Sequence, residues 1–235
     1  MAIRGILLDK DGTLVDFFRT WIPAYRAAAD LASRAAGEPA LGDRLLRLTG
    51  YDPTTGQLDP ASLLAGGTTQ EICDLWAIEA GVADRPGLSR ELRHAMEARV
   101  SAHPIPVGEG LVNLLGRLVE RGFILGIATM DGETVARSTA DALGIAGSLS
   151  FVSGFDSGFA PKPAPDMVHG FCTATGLAAG DIMVVGDTSR DIEMARAAGV
   201  ARAVAVLTGA TPVEALSPIA DIVIESVLDI ESILG

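Results

Sequence analysis

Six short apolar runs punctuate this 235-residue chain: IRGILLD (3–9), FILGIAT (123–129), SLSFVSG (148–154), DIMVVGD (181–187), ARAVAVL (201–207) and ADIVIES (220–226). Between the later ones lie stretches with helical spacing, Glu109 to Arg121, Gly132 to Leu143, Pro165 to Thr175 and Ser189 to Ala198. Strands that are apolar almost throughout need cover on both faces, and alternating helices supply it. The pattern predicts an α/β fold built on a doubly wound parallel sheet.

The first strand breaks the rhythm, because the next one begins only at residue 123. Residues 16–103 read as mostly helical, through FFRTWIPAYRAAADLASRAAG, GDRLLRLTG, TTQEICDLWAIEAG and GLSRELRHAMEARVSA. This predicts an all-α domain, 16–103, inserted into a core made of 1–15 and 104–235. The hinges fall after Gly12-Thr13 and in HPIPVGEG (103–110), where prolines and glycines interrupt the pattern. Within the insert, GYDPTTGQLDP (50–60) reads as turns, either a loop or a small hairpin.

Composition excludes several classes of partner. The formal charge is −12 and there is no basic tract, so neither nucleic acid nor an anionic membrane surface is expected. No apolar run approaches the roughly 18 to 20 residues of a membrane span. The apolar residues of MAIRGILLD meet a carboxylate too early for a signal peptide. Cys73 and Cys172 read as two buried free thiols, which suits a reducing cytoplasm.

In an open parallel sheet, ligands bind beyond the carboxyl ends of the strands. The polar residues at those ends are Asp9 and Asp11, then Thr129, then Lys162 in the loop after the third strand, then Asp187 and Asp191. Four carboxylates brought together repel unless a cation joins them. An all-oxygen donor set without a His or Cys cluster matches Mg²⁺ better than zinc. Of 18 basic residues only Lys10 and Lys162 are lysines. A compact ammonium and a guanidinium fork are not interchangeable, so Lys162 is read as a phosphoryl-binding charge. Lys10 is read as pointing away from the pocket and has no assigned role.

Four segments in order carry a resemblance: DKDGTLVD, ILGIAT ending at Thr129, PKPAPDM, and VVGDTSRDIEMARAAG. Together they resemble the four motifs of the haloacid dehalogenase-like superfamily, and within it the phosphoglycolate phosphatase-like group with a helical cap inserted after the first motif. The resemblance implies a Rossmann-like core, a cap that opens and closes, and a Mg²⁺-dependent phosphatase acting on a small-molecule phosphate monoester. It implies Asp9 as nucleophile and Asp11 as proton shuttle. Asp9, the backbone carbonyl of Asp11 and Asp187 would hold the metal, with Asp191 as a further ligand or directly behind the ligands. Gly12, Thr13, Thr129, Met130 and Lys162 would bind the phosphoryl group. Phosphoglycolate is the expected substrate, with sugar phosphates and nucleotide monophosphates as rivals. The expected state is a cytoplasmic monomer or homodimer.

Alternatives within the resemblance turn on single residues. The second aspartate, Asp11, speaks against a dehalogenase. The insert lacks the lysine of phosphonate hydrolases, and no histidine precedes His94, which speaks against a sugar-phosphate mutase. A binding protein that keeps only the fold would be expected to lose one of Asp9, Asp11, Lys162 or Asp187, and none is lost. Asp16 and Asp131 read equally well as capping or hinge residues. Phe17, Phe18, Trp21 and Tyr25 read as packing between helices, while Phe17, Arg19 and the turn at 65–69 are where related caps set specificity.

Overall fold

The computed structural model describes residues 2–234. Its first strand, β1 (Gly5–Leu8), is buried along its whole length. The chain then leaves the sheet for α1 (Phe17–Ala36), α2 (Leu41–Leu48), α3 (Leu63–Gly66), α4 (Thr69–Glu79) and α5 (Arg85–Ala102). It returns through α6 (Leu111–Glu120), β2 (Ile124–Ala128), α7 (Glu133–Ala142), β3 (Leu149–Ser153) and α8 (Asp166–Thr175). It finishes with β4 (Ile182–Gly186), α9 (Ser189–Ala198), β5 (Arg202–Val206), α10 (Val213–Leu216) and β6 (Ile222–Ile224). All six apolar runs become strands, each shorter than the run.

The strand order is β3-β2-β1-β4-β5-β6, with every neighbouring pair parallel. The chain therefore builds outward from β1 in one direction and then crosses back to add β4 on its other side. That reversal opens a crevice between the carboxyl ends of β1 and β4, the place where such sheets bind ligands.

Side chains on the strands alternate between two apolar layers. Ile6 and Leu8 join Leu125, Ile127, Met183 and Val185 under Leu111, Leu114, Leu115 and Leu118 of α6. Leu7, Ala128, Ile182 and Val184 face the other way, toward Phe171 of α8 and Ile192 of α9. Phe171 is fully buried, and two glycines make room for it. A Cβ on Gly5 would lie 3.0 Å from its ring, and one on Gly126 only 2.9 Å. Gly126 pairs with Leu7 two positions along from the pairing of Gly5 with Ile124, so the ring covers both glycines across neighbouring strands.

Contacts divide the chain into two units, Met1–Phe17 with Pro104–Gly235, and Phe18–His103. In the helical unit, Thr68 and Glu71 start α4 with reciprocal bonds of 3.2 and 2.7 Å, and Asp84 caps α5 by accepting from the Gly87 N–H at 2.8 Å. Trp76 is buried with its indole N–H donating to Thr49 Oγ1 at 3.3 Å, and Tyr25 meets it edge to face. The packing expected of the aromatic residues in α1 is met at Phe17, Trp21 and Tyr25, which are buried, but not at Phe18, which is exposed. Both cysteines are free, Cys73 buried and Cys172 only partly so. An antiparallel bridge between Tyr51 and Leu58 makes the 50–60 stretch a small hairpin. Among the described residues, no helix is long and apolar enough to cross a membrane.

Candidate active site

Asp9 follows β1 and extends the ladder by one bond, its N–H donating to the Val185 carbonyl at 2.8 Å. The chain then folds back on itself. The Lys10 carbonyl accepts from the N–H groups of Thr13, Leu14 and Val15 at 3.4, 2.8 and 2.9 Å, and Gly12 N–H donates to Val15 at 2.8 Å. Gly12 has φ +82°, which only glycine adopts readily, and a Cβ there would fall on the Asp187 carboxylate. The sequence places the N–H groups of Gly12 and Thr13 toward a phosphoryl group, whereas in the structure both are engaged inside the turn. These two residues shape the site, and the buried Thr13 hydroxyl has no hydrogen-bond partner.

Asp187 lies just past β4 and Asp191 in the first turn of α9. Together with Asp9 they bring one carboxylate oxygen each to within 4.8 Å of one another. Lys162, between β3 and α8, points its buried Nζ into this group and donates to Asp9 Oδ1 at 2.6 Å and to Asp191 Oδ1. The other oxygen of Asp191 accepts from the N–H and hydroxyl of Thr188 at 3.1 and 2.7 Å. Both oxygens of Asp191 are thus occupied, while Asp187 Oδ1 is buried without a hydrogen-bond partner.

Electrostatics follow from this crowding. Burial lifts the Asp9 carboxyl to about 7, with Asp191 and Asp11 adding to the rise and Lys162 opposing it. Burial and the charges of Asp9 and Asp191 hold Asp187 well above the usual carboxylate range. Burial works against charge on Lys162, but Asp191 and Asp9 outweigh it and keep the ammonium above its ordinary range. Three carboxylates against one ammonium leave negative charge uncompensated, and one buried oxygen lacks a partner. An oxygen-only donor set of this kind fits a hard divalent cation, and Asp9, Asp187 and Asp191 each offer one oxygen to it. The Asp11 carboxylate is not in this group.

Thr129, at the end of β2, is buried; its N–H donates to Ser153 at 2.9 Å and its Oγ1 accepts from Asp131 N–H at 3.1 Å. Its own hydroxyl proton therefore remains to be donated. Met130, half-buried, follows it. Asp131 does not cap α7, where Asp156 Oδ1 accepts from Glu133 N–H at 2.8 Å. It pairs instead with Lys10, which the sequence left without a role. Lys10 is 1% exposed, and its Nζ lies 2.7 Å from Asp11 Oδ2 and 3.0 Å from Asp131 Oδ2. Burial again works against the charge, and Asp11 and Asp131 again outweigh it.

Sequence reasoning also missed the loop after β5. Thr208 Oγ1 donates to the Gly12 carbonyl at 2.5 Å, and a Cβ on Gly209 would overlap the Asp187 carboxylate. The signal was available, since Thr-Gly follows the end of a strand just as the other site residues do. Arg19 is exposed and, like the turn at 65–69, belongs to the helical unit.

The sequence model of one family, described as "Hydrolase: haloacid dehalogenase-like hydrolase", matches residues 3–199. A phosphoglycolate phosphatase from Yersinia pseudotuberculosis is 29% identical over 198 residues, spanning 84% of this chain and 78% of that protein. An N-acetylmuramic acid 6-phosphate phosphatase from Pseudomonas putida is 26% identical over 199 residues, spanning 85% of this chain and 81% of that protein. Among solved structures, a protein described as a predicted phosphoglycolate phosphatase from Haemophilus somnus superposes with a TM-score of 0.74 at 20% identity, over 99% of this chain and 98% of the other.

Proposed function

Because the chain belongs to the haloacid dehalogenase-like hydrolases, we propose that it is a phosphoric monoester hydrolase that works through a phosphorylated Asp9. The observation that carries this reading is the buried group of Asp9, Asp187, Asp191 and Lys162 at the crevice between β1 and β4, with Asp187 Oδ1 left unpartnered.

In this reading Asp9 attacks phosphorus, an oxygen–phosphorus bond forms, and the ester bond to the leaving oxygen breaks. Asp11 gives its proton to that oxygen, so an alcohol departs. A water then attacks the phosphorus of the acyl phosphate and passes its proton to Asp11. The bond to Asp9 breaks, inorganic phosphate leaves, and both residues regain their starting forms. Lys162 counters the charge of Asp9 and of the phosphoryl oxygens, and the Thr129 hydroxyl donates to one of those oxygens.

Asp9, Asp187 and the backbone carbonyl of Asp11 would hold Mg²⁺, whose chemistry is to neutralise charge on the transferring phosphoryl group. Asp191, with both oxygens engaged, supports Lys162 instead. The substrate best supported by the similar proteins is phosphoglycolate, with a sugar phosphate as the second reading because the Pseudomonas putida relative is a sugar-phosphate phosphatase by name. The test is turnover of an aryl phosphate with Mg²⁺, abolished by EDTA and by Asp9→Asn, followed by kcat/KM across a panel of monoesters. No turnover of any ester with Mg²⁺ present would overturn the phosphatase reading. A hexose phosphate preferred over phosphoglycolate would overturn only the substrate.

A further inference from the structure

Lys10 is a fully buried lysine that the chemistry above does not use. Its Nζ lies 2.8 Å from Asp11 Oδ1 and 2.7 Å from Oδ2, so it faces the carboxylate squarely, and a third carboxylate oxygen, Asp131 Oδ2, lies 3.0 Å away. The side chains of Lys10 and Asp131 are 1% and 2% exposed, whereas that of Asp11 is 18% exposed. The chain of charges therefore runs from a sealed interior to a carboxylate that reaches open space.

Both inner members are mounted on fixed backbone. Asp131 N–H donates to Thr129 Oγ1 at 3.1 Å, and its carbonyl accepts from Phe155 N–H at 3.0 Å. The Lys10 carbonyl is the shared acceptor of the turn that follows β1. An aspartate at the surface ordinarily samples several rotamers. An ammonium held from behind by a second carboxylate restricts it, and burying that ammonium is tolerable only because it is paired on both sides. The arrangement joins the loop after β1 to the loop after β2, the two segments that carry Asp9 and Thr129.

We propose that Lys10 is a positioning residue: backed by Asp131, it holds the Asp11 carboxyl in the one orientation from which it can protonate the departing oxygen. This rests on Asp11 being the acid. It explains why one of only two lysines in the chain sits between two aspartates and is buried. It also separates the two lysines by task, Lys162 serving the phosphoryl group and Lys10 the proton.

The consequence is a dependence on leaving group. A nitrophenolate departs without help, whereas an alkoxide needs the proton, so a misplaced Asp11 slows alkyl esters selectively. The experiment measures kcat/KM with Mg²⁺ over a series of phosphate monoesters from nitrophenyl to alkyl, for wild type, Asp11→Asn, Lys10→Met and Asp131→Asn. Asp11→Asn is expected to slow alkyl esters about 100-fold more than nitrophenyl phosphate. Lys10→Met and Asp131→Asn are expected to show the same tilt, about tenfold. Lys10→Met leaves two neighbouring carboxylates without their cation; if it does not fold, Asp131→Asn, which keeps the Lys10–Asp11 contact, decides alone. Equal losses on all esters in Lys10→Met and Asp131→Asn, beside a tilt in Asp11→Asn, overturn the inference and leave the acid assignment standing. No tilt in Asp11→Asn overturns that assignment and this inference with it. Calorimetric titration of Asp131→Asn with Mg²⁺ is expected to match wild type, and a fall in affinity equal to its loss of activity also overturns the positioning role.

Discussion

Gly209 and Asp187 pack so closely that a methyl group on the glycine would overlap the carboxylate. Gly209 is not among the glycines of positive φ, so the requirement is for space rather than for an unusual backbone. Its loop is tied to the first one by the Thr208 hydroxyl, which donates to the Gly12 carbonyl at 2.5 Å. Asp187 is thus walled in by Gly12 on one loop and Gly209 on another. Gly209→Ala is expected to displace Asp187, raising the Mg²⁺ concentration for half-maximal activity about tenfold or more, since small misplacements at a reacting centre cost up to about 100-fold. Titration of activity with Mg²⁺ checks this; an unchanged midpoint refutes it.

Lys162 should be irreplaceable even by arginine. Its Nζ fits between Asp9 and Asp191 with the side chain only 2% exposed, and a planar fork does not reproduce a compact ammonium there. Lys162→Met is expected to lower kcat by about 10²- to 10³-fold, the scale of losing one preorganised charge contact. Lys162→Arg should recover little of it. Steady-state kinetics on an aryl phosphate decides, and full recovery by arginine would show that charge alone suffices.

The sheet was legible because each strand lies in an apolar run between turn residues, and the central strands β1 and β4, buried along their whole length, leave no polar alternation to confuse the reading. Asp9, Thr129 and Asp187 were legible because each directly follows an apolar run, and Lys162 and Asp191 because they lie in the segments that follow β3 and β4. Lys10 was not. Its side chain follows a carboxylate on the loop after β2, 121 positions away in number, and nothing in DKDGT tells which way it turns. Gly12 was read for the N–H groups of its turn, yet its N–H is used by Val15 and its missing side chain is what Asp187 needs. Close approaches between loops depend on the packed sheet, so the sequence names the glycines without naming what they touch.

Removing one carboxylate should exchange metal binding for stability. Asp187 is buried beside Asp9 and Asp191, and all three effects that raise its pKa oppose its charged form. Asp187→Asn is expected to melt higher than wild type in EDTA, to gain nothing from Mg²⁺, and to lack activity. Thermal melts with and without Mg²⁺ measure this. A variant that melts lower than wild type in EDTA would mean that the charge cluster is compensated within the protein itself.

The same cluster sets the pH dependence of the metal-free protein. Asp9 titrates near 7 in the fold against 3.8 for a free carboxyl, and Asp187 is raised in the same sense. Between about pH 4 and about pH 7 the folded chain therefore binds more protons than the unfolded one. Stability must fall as pH rises through that window, by a few kcal/mol, since each tenfold difference in proton affinity between the folded and unfolded chain is worth about 1.4 kcal/mol. Lys10 and Lys162 stay charged throughout and do not reverse the trend. On the proposed function Mg²⁺ would bind the deprotonated carboxylates, so its stabilisation should grow over the same range. The measurement is the Tm of wild type minus that of Asp9→Asn/Asp187→Asn, followed across the window in EDTA and again in Mg²⁺, which cancels the contribution of surface carboxylates. In EDTA the difference should decline with pH and in Mg²⁺ it should climb; a difference in EDTA that rises with pH would show that these carboxyls are ionised in the folded protein without a metal.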